Sequence, residues 1–460
     1  MVPLSPQLDV ISPIDYRYSD PELRGYLSGN AMLREMLAVE VALVKALQKV
    51  GICDDPTARE IEVACQHITP QEVLFDEQRI HHDVRALVNC IRERVGDSAK
   101  PFVHLTATSA DIKDTAYILL FRRALDDIVI PDLKKLLTIL IGLSIREAET
   151  VQIGRTHGQH AIPITFGFAI AGYVSRLGSA ILALQRAIDQ LPGMLSGAVG
   201  TYAAASLLLP KQPRTIERYA LEILELQPVE HSTQIMPREP LARLFSELVV
   251  IAGILANLAD DMRNLQRSEI AEVGEHFEKG QVGSSTMPQK QNPIVAENIK
   301  SCWKIILGRM VTVYMDQISE HQRDLTNSAS GRTYPEIIAY VGWMIRRSTE
   351  LMGKLGVDKE RMHANLVLGG DYQTAEALYV ILSQLGHANA HAKVMQLVYL
   401  ARANKSTLHA TVEVDPEMQP FVDQFSDVHR TILQHPEQYL GEAKRGTLEI
   451  AERWKVEFQL

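Results

Sequence analysis

The stretch PLARLFSELVVIAGILANLADDMRNLQR, residues 240–267, decides the fold class of this chain. Its apolar side chains recur at alternating intervals of four and three residues. They are Leu244, Leu248, Ile251, Leu255, Leu258, Met262 and Leu265. This is a heptad pattern, and at the helical rise per residue it predicts a helix with a packing seam about 30 Å long. Charged side chains such as Arg243 and Asp260 fall off the seam, where they can meet water or a neighbour.

Three other segments are also typical of long helices. Residues 165–191 are rich in small and aliphatic side chains, and the small ones let neighbouring helices approach closely. Residues 111–149 contain Pro131, where we expect a kink or break because proline removes a backbone hydrogen bond. The third segment is 293–320. Helices this long predict an elongated bundle whose packing continues into other subunits. The small residues of the first segment are Gly167, Ala171, Gly172 and Gly178.

The flanking segments hold shorter helices separated by polar breaks, and strand signals are sparse. Only short runs such as residues 197–205 look extended. The sequence therefore predicts an all-α chain with three helical domains. These are a small N-terminal domain at residues 1–111, a central bundle of long helices at 112–360 that includes a polar loop at 274–293, and a small C-terminal domain at 361–460.

Composition argues against several classes of protein. The chain has 460 residues, 46% of them hydrophobic, which argues against disorder, and its formal net charge of −9 argues against a nucleic-acid scaffold. The four cysteines form no CxxC pair, as is typical of reduced thiols in the cytosol. Residues 1–9 lack the pattern of a secretory signal, and no apolar run is long enough for a membrane span. We expect a cytoplasmic protein without nucleic-acid or membrane partners.

The loop GSSTMPQKQNPI, residues 283–294, carries the strongest chemical signal. It combines two adjacent hydroxyls, beginning at Ser284, with the single cation Lys290. A helix is predicted to start at Asn292 and Pro293, because Asn is a favoured N-cap and Pro fits the first helical position. A helix N-terminus beside an ammonium group favours a bound carboxylate or oxyanion. The sequence therefore predicts an anion-binding loop.

Histidines occur in two further polar segments. His157 lies in RTHGQH, residues 155–160, within a polar break before a long helix and beside groups that can hold an anionic substrate. His82 follows His81 and precedes Asp83. Because adjacent histidines point to different faces of a helix, we do not expect them to form a metal site.

Two segments contain arginines that suit phosphate or carboxylate groups. The first, DYRY at residues 15–18, is a compact cluster that includes Arg17 and Tyr18. The second, RDLTNS at residues 323–328, is followed by Arg332 and combines two guanidinium groups with hydroxyls. The glycine patterns GxxxxGK[ST] and GxGxxG are absent from the sequence, so neither a P-loop nor a Rossmann nucleotide site is predicted.

The 283–293 run resembles the signature of the fumarase/aspartase/argininosuccinate lyase superfamily, and the chain is most similar to the adenylosuccinate lyases within it. The other matching segments occur in family order between residues 12 and 336, and a late run at 436–443 is also similar. They are Ser12–Pro13 with 15–18, His82–Val84, His104 with 108–111, 155–159, 197–200, 233–234 and 323–328. The chain departs from the pattern at Gln289, where these lyases usually have histidine, and at His81, where they usually have asparagine.

This resemblance implies a mainly helical homotetramer whose subunits share each active site. It also implies a β-elimination that breaks a carbon–nitrogen bond and releases fumarate. The implied substrates are adenylosuccinate and the succinyl-aminoimidazole carboxamide ribotide of purine biosynthesis. No metal and no organic cofactor is implied.

The resemblance further implies a role for individual residues. Ser284 would be the base, Lys290 and Asn292 would hold the succinyl carboxylate, and His157, paired with Glu297, would protonate the departing nitrogen. The positions that resemble substrate-holding residues are His82, Asp83, Thr108, Ser109 and Gln234. Those that resemble residues binding the nucleotide phosphate and neighbouring groups are Arg17, Tyr18, Arg323, Ser328 and Arg332.

Alternative functions remain open at this point. Argininosuccinate lyase, 3-carboxymuconate cycloisomerase and aminopolycarboxylate lyase activities belong to the same superfamily, but the two arginine segments favour a phosphorylated substrate. A catalytically silent scaffold, such as the lens crystallins of this superfamily, is disfavoured. All four residues with implied catalytic roles are present, namely His157, Ser284, Lys290 and Glu297.

Overall fold

The structure is a computed structural model that describes Tyr18 and residues 20–278, 280–281 and 283–460. Helices dominate these residues, and the strands among them form one hairpin and two pairs of two-residue strands. The predicted all-α class is confirmed. The predicted short extended run at 197–205 is wrong, because residues 203–208 form a helix and the residues before them form turns in which Gly197 and Gly200 have positive φ.

Five helices begin the described chain. They are α1 (Pro21–Leu27), α2 (Gly29–Lys49), α3 (Asp55–Gln66), α4 (Pro70–Ile80) and α5 (Asp83–Glu93). Side chains just before them accept backbone N–H groups of the first turn, as N-caps do. The caps of the first four are Asp20, Ser28, Asp54 and Thr69.

The next part of the chain contains the hairpin and the first predicted long helices. The elements are α6 (Ser109–Ala124), α7 (Ile130–Arg146), β1 (Val151–Thr156), β2 (Gln159–Thr165) and α8 (Phe166–Asp189). A π-helical turn, Leu125–Val129, joins α6 to α7 just before Pro131. The irregularity expected at this proline is thus a widened turn, which accommodates a residue without an N–H group.

The central part of the chain contains the helix of the heptad pattern. The elements are β3 (Pro192–Gly193), α9 (Ala203–Leu208), α10 (Thr215–Ile223), β4 (Gln227–Pro228), α11 (Glu239–Leu265), β5 (Val273–Gly274) and α12 (Ile294–Met315). The predicted seam lies in α11, and all seven apolar side chains that define it are buried except Leu265, which is half-buried.

The last part of the chain begins with a long helix and continues with shorter ones. The elements are α13 (Tyr334–Gly353), β6 (Gly356–Val357), α14 (Lys359–Leu368), α15 (Ala375–Gln384), α16 (Ala390–Ala403), α17 (Leu408–Val414), α18 (Gln419–Val422), α19 (Asp427–Gln434) and α20 (Ala443–Phe458). Helices α15 to α19 enclose a small apolar core of their own, which includes Leu378, Leu397 and Met418.

The chain divides into two compact units. Unit 1 contains residues 1–133, 180–253 and 301–346, and unit 2 contains 134–179, 254–300 and 347–460. In unit 1, α2 packs against α3, α6 and α10. In unit 2, α14 packs against β1 and α15 packs against α16. The three-domain division predicted from the sequence divides the chain elsewhere and stays a prediction.

Two of the long helices have the length and apolar composition of membrane spans, which the sequence was not expected to contain. They are α8 and α11, and 56% and 61% of their most apolar windows are buried inside the protein. Such burial is typical of core helices, so composition alone does not make these helices membrane spans.

Close packing of α8 requires a small residue at one particular position. A Cβ atom added to Gly178 would lie 2.5 Å from the indole of Trp454, a buried side chain of α20. Gly172, in the same helix, is exposed and has no atom within 4 Å of the corresponding Cβ position. The small residues of α8 therefore have different roles.

We expect Gly178→Ala to lower the free energy of unfolding by roughly 1–3 kcal/mol, because the indole has no room to move away from the new methyl group. Gly172→Ala should raise it by about 0.5–1 kcal/mol, because alanine favours helix and meets no neighbour. Urea denaturation of both variants measures the two changes. A stabilised Gly178→Ala protein would contradict this account of the packing.

Candidate active site

His157 lies at the tip of the β1–β2 hairpin. Thr156 pairs with Gln159, so the loop consists of His157 and Gly158, with φ values of 54° and 73°. Positive φ at both central residues is the geometry of a type I′ hairpin turn, and histidine is one of the residues that tolerate it. The hairpin was not predicted, because its polar tip was interpreted as a break between helices. The imidazole is exposed and makes no hydrogen bond or ion pair within the described part of its own chain.

A buried carboxylate holds the first strand of this hairpin, β1. Glu272 is fully buried and accepts hydrogen bonds from both terminal nitrogens of Arg155, at 2.6 and 3.1 Å. It also accepts from Gln152 at 2.7 Å and from Asn365 at 2.8 Å. Arg155, considered from the sequence as a possible anion-binding group, is therefore already engaged by a carboxylate in the bidentate geometry that binds it most strongly.

Ser284 lies in the polar loop before α12 and is half-buried. Its hydroxyl oxygen accepts hydrogen bonds from the backbone N–H groups of Met287, at 3.1 Å, and Thr286, at 3.4 Å. Donors aimed at an oxygen stabilise negative charge on it, so this arrangement favours the alkoxide that a serine needs to act as a base. Lys290, in the same loop, is exposed and can meet an anionic ligand.

The ends of this loop approach each other closely. The side chain of Asn292 donates a hydrogen bond to the carbonyl oxygen of Gly283 at 2.8 Å. A Cβ atom at Gly283 would lie 2.2 Å from the carbonyl oxygen of Lys290, so only glycine fits there. The close approach of the two ends of the loop therefore depends on glycine at position 283 and on the amide of Asn292.

The predicted N-cap at Asn292 is wrong. The first turn of α12 is capped by Glu275, whose carboxylate accepts from the backbone N–H groups of Val295, at 3.0 Å, and Ala296, at 2.8 Å. Asn292 cannot serve as the cap because its amide closes the loop instead. Glu297 follows in the same turn and is exposed, and no hydrogen bond or ion pair joins it to His157 within the described part of one chain.

In unit 1, the candidate residues before α5 and α6 lie close together. The Nδ1 atom of His82 accepts from the backbone N–H of Arg85, and its Nε2 atom lies 3.5 Å from the hydroxyl of Ser109. Asp83 accepts a hydrogen bond from Lys113 at 2.6 Å. Burial alone would raise the pKa of Asp83, but the hydrogen bond and charge of Lys113 outweigh it and lower that pKa below its ordinary value. Asp83 is therefore ionised at neutral pH.

The loop that carries Thr108 is fixed by a carboxylate that was not among the predicted site residues. Asp111 is fully buried and accepts from the backbone N–H groups of Thr108 at 2.8 Å, Ser196 at 2.9 Å and Gly197 at 3.1 Å. Burial raises its pKa to about 6, although these donors oppose the rise. The sequence did contain a pattern that could have identified Asp111, since Thr followed by Asp three residues later resembles a capping box at a helix start. Asp111 joins two segments that both match the family pattern.

Gln234 and the second arginine segment also meet in unit 1. The side-chain oxygen of Gln234 accepts from Arg323 at 3.1 Å, and its backbone N–H donates to the carbonyl oxygen of Gln322 at 3.2 Å. Ser328 and Arg332 follow and are exposed. The structure therefore brings Gln234 and Arg323 together and leaves the other two side chains accessible to a ligand.

The first arginine segment lies largely outside the described residues. Arg17 is one of the residues that the structure does not describe. The ring of Tyr18 packs against Tyr340, at 6.1 Å between ring centroids, and edge-on against Trp343 at 5.6 Å. Tyr18 is therefore anchored by apolar contacts to α13.

The described residues contain no group of three or more His, Cys, Asp or Glu side chains placed to hold a metal ion. The cysteines are all free and buried. The candidate site residues supply hydroxyl, imidazole, carboxylate, ammonium and guanidinium groups. Acid–base catalysis and anion binding are what such groups provide.

Comparisons with known proteins point to one family. The family model described as "Lyase" matches residues 16–308, and the one described as "Adenylosuccinate lyase C-terminal" matches residues 319–426. The adenylosuccinate lyase of Archaeoglobus fulgidus is 34% identical to this chain, over 97% of the chain and 98% of the relative. That of Pyrococcus abyssi is 36% identical, over 94% and 96% respectively.

Solved structures share the fold. The 3-carboxy-cis,cis-muconate lactonizing enzyme of Pseudomonas putida is similar with a TM-score of 0.83 and 28% identity, over 96% of this chain and 98% of that one. The fumarate lyase of Mesorhizobium sp. BNC1 has the same TM-score at 24% identity, over 95% and 98% of the two chains. At that identity, the second similarity supports the fold alone.

The raised pKa of Asp111 predicts a pH-dependent stability. The carboxyl group binds its proton more tightly in the folded than in the unfolded chain, so its contribution to stability is complete below about pH 4 and is lost as the pH rises through about 6. On lowering the pH from about 7 to about 5, the unmodified protein should gain about 1 kcal/mol relative to Asp111→Asn. Denaturant unfolding at both pH values measures this. A difference between the two proteins that does not change with pH would refute the prediction.

Proposed function

Since the chain belongs to the adenylosuccinate lyase family, we propose that it eliminates fumarate from adenylosuccinate and leaves AMP. It is a carbon–nitrogen lyase, and the succinyl-aminoimidazole carboxamide ribotide is its second substrate. The observation that best supports this chemistry is the pair of backbone N–H groups on the hydroxyl of Ser284.

Elimination begins with removal of a proton from the carbon next to a carboxylate. The Ser284 alkoxide takes this proton, and the electrons of the C–H bond pass into the carboxylate to give a dianionic intermediate. Lys290 and Asn292 hold that carboxylate and stabilise the additional charge. Asn292 can do so while it closes the loop, because only one of its donors is used by Gly283.

The second step breaks the carbon–nitrogen bond. The electrons of the intermediate form the double bond of fumarate, and the electrons of the broken bond pass to nitrogen, which takes a proton from His157. An imidazole suits this step because its ordinary pKa lies near neutrality. Glu297 pairs with His157 and favours its protonated form. Both side chains are exposed and unpaired with each other in the described part of one chain, which supports a pairing between subunits.

Two groups of side chains hold the nucleotide. Arg323, Ser328 and Arg332 bind the phosphate with charge-assisted hydrogen bonds, and Arg17 and Tyr18 complete this part of the site. The remaining groups orient the base and the succinyl moiety. They are His82, Asp83, Thr108, Ser109 and Gln234.

The chain forms a homotetramer in which subunits share each site. An exposed apolar stripe supports this, because large apolar patches on a protein surface mark interfaces. The stripe runs along α12 and the turn after it, at helical intervals of three and four residues. It consists of Leu307, Val311, Tyr314 and Ile318, of which Ile318 is 78% exposed. A second copy of the chain is the partner that symmetry favours.

The enzyme acts in the cytoplasm. Its free, buried cysteines support a reducing compartment, where thiols are not oxidised to disulfides.

A cycloisomerase acting on 3-carboxymuconate is the second candidate function. The similarity to the Pseudomonas putida lactonizing enzyme favours it, since the two chains share 28% identity over nearly their whole length. That substrate carries no phosphate, so it would leave the guanidinium groups of Arg323 and Arg332 without a function.

Absorbance assays with the purified protein distinguish these candidates. We expect loss of adenylosuccinate and of its ribotide analogue, with release of fumarate and a kcat/KM of at least about 10⁴ M⁻¹ s⁻¹, the lower end for enzymes on their own substrates. Argininosuccinate and 3-carboxymuconate serve as matched controls and should not react. Turnover of 3-carboxymuconate without turnover of adenylosuccinate would overturn the proposed function.

A further inference from the structure

The segment that carries Arg323, Ser328 and Arg332 is largely irregular, yet it has one fixed point. Residues 316–333 connect α12 to α13 and contain only turns and a short 3₁₀ helix, Ser330–Thr333. Asp316 lies directly after the last residue of α12 and is 4% exposed. Its backbone N–H still donates to the helix, at the carbonyl oxygen of Thr312. Asp316 is thus a rigid extension of a long helix.

Two donors from the segment and one from the first residue of α13 converge on Asp316. One carboxylate oxygen accepts from the hydroxyl of Ser330 at 2.6 Å, and the other accepts from the hydroxyl of Tyr334 at 2.5 Å. The backbone carbonyl oxygen of Asp316 accepts from the side chain of Asn327 at 2.7 Å. Hydrogen bonds to a carboxylate are shorter and stronger than those between neutral groups.

The positions of these donors in the chain decide what they hold. Asn327 directly precedes Ser328, while Ser330 and Tyr334 lie on either side of Arg332. The two exposed side chains assigned to the phosphate therefore lie between residues bonded to a single buried aspartate. Both side chains are thus linked to Asp316 through the hydrogen bonds of their neighbours.

Tyr334 is itself buried and closely packed. Its ring lies 5.1 Å from that of Phe245 and 6.4 Å from that of Phe121, both fully buried, and its hydroxyl is buried against Asp316. Burial and the hydrogen bond to Asp316 raise the pKa of Tyr334 above its ordinary value, so the hydroxyl stays a donor.

A purely stabilising role explains Asp316 poorly. It forms no ion pair among the described residues, and a buried carboxylate without a cationic partner is costly even when hydroxyls bind it. A neutral side chain would fill the same space without that cost. A charged carboxylate does, however, hold the two hydroxyl donors in one orientation more firmly than a neutral acceptor can.

We infer that Asp316 is a positioning residue for the phosphate of the substrate. It does not touch the substrate, and it acts by holding Ser328 and Arg332 where the phosphate binds. This inference rests on the proposed function, because it takes the phosphate contacts from there.

The test compares adenylosuccinate with succinyladenosine, the same molecule without its phosphate. For Asp316→Ala we expect KM for adenylosuccinate to rise about tenfold while kcat stays within about twofold, the pattern of lost binding that ground state and transition state share. For succinyladenosine, kcat/KM should stay within about twofold of the unmodified enzyme. Asp316→Asn retains one acceptor oxygen, so its KM for adenylosuccinate should lie between those of the unmodified enzyme and Asp316→Ala.

Tyr334→Phe and Tyr202→Phe form a matched pair of variants. Each removes one hydroxyl that donates to a buried carboxylate, Asp316 at 2.5 Å in the first case and Glu217 at 2.7 Å in the second. Tyr334→Phe should raise KM for adenylosuccinate a few-fold. Tyr202→Phe should not change the ratio of kcat/KM for adenylosuccinate to kcat/KM for succinyladenosine. Tyr334→Phe also tests the inference if Asp316→Ala does not fold.

The inference would be overturned if Asp316→Ala lost equal factors of kcat/KM on adenylosuccinate and succinyladenosine. A fall in its kcat for adenylosuccinate without a rise in KM would also overturn it. An unmodified protein that does not cleave adenylosuccinate refutes the proposed function instead. Calorimetric titration with inorganic phosphate then tests Asp316 separately. Weaker binding to Asp316→Asn than to the unmodified protein supports its role, and equal or absent binding by both rejects it.

Discussion

Hydrogen bonds to buried carboxylates hold the loops on which the proposed chemistry of this protein depends. Glu272 fixes the first strand of the hairpin that presents His157, and Glu275 caps the helix that follows the Ser284 loop. In unit 1, Asp111 and Asp316 do the same for the segments that carry the proposed substrate contacts. Taking a carboxylate out of water costs several kcal/mol, and donors offset part of this cost, so each loop is favoured in the conformation that brings its donors to the acid.

The long helices give some of these hydrogen-bonded loops a rigid support. A helix several turns long, buried along an apolar seam, does not bend easily, and a carboxylate at its end, such as Asp316 after α12, is therefore a fixed point. Among the side chains with proposed catalytic roles, His157 is exposed at a hairpin tip, Lys290 is exposed in a loop, and Ser284 is half-buried in the same loop. This combination gives exposed groups a defined position, and positioned groups are what electrostatic stabilisation of a transition state needs. It also leaves His157 and Glu297 available to another copy of the chain.

Local patterns predicted the helices well and the loops poorly. The heptad spacing placed α11 within about two residues at each end, because one seam of buried side chains determines it. Interactions between residues distant in sequence could not be predicted. Nothing near Glu275 indicates that it caps a helix twenty residues later, and that bond is the reason that Asn292 is free to close its loop. The hairpin was missed because its turn, His157–Gly158, lacks the Asn-Gly or Asp-Gly pair that usually indicates one. The motifs of the family, by contrast, are short and local, so they indicated the chemistry before the structure did.

The central claim that we propose is that Ser284 and His157 act on one substrate molecule from different subunits, since Glu297, the proposed partner of His157 on another subunit, follows the Ser284 loop in sequence. Mixed tetramers of Ser284→Ala and His157→Asn subunits, purified through two affinity tags, test it most directly. Asn is chosen for position 157 because it tolerates the positive φ of the turn. Each parent should be inactive, a Ser285→Ala control should be active, and the mixture should regain about a quarter of the unmodified activity, since about one site in four then receives both intact residues. A mixture as inactive as its parents would contradict the claim.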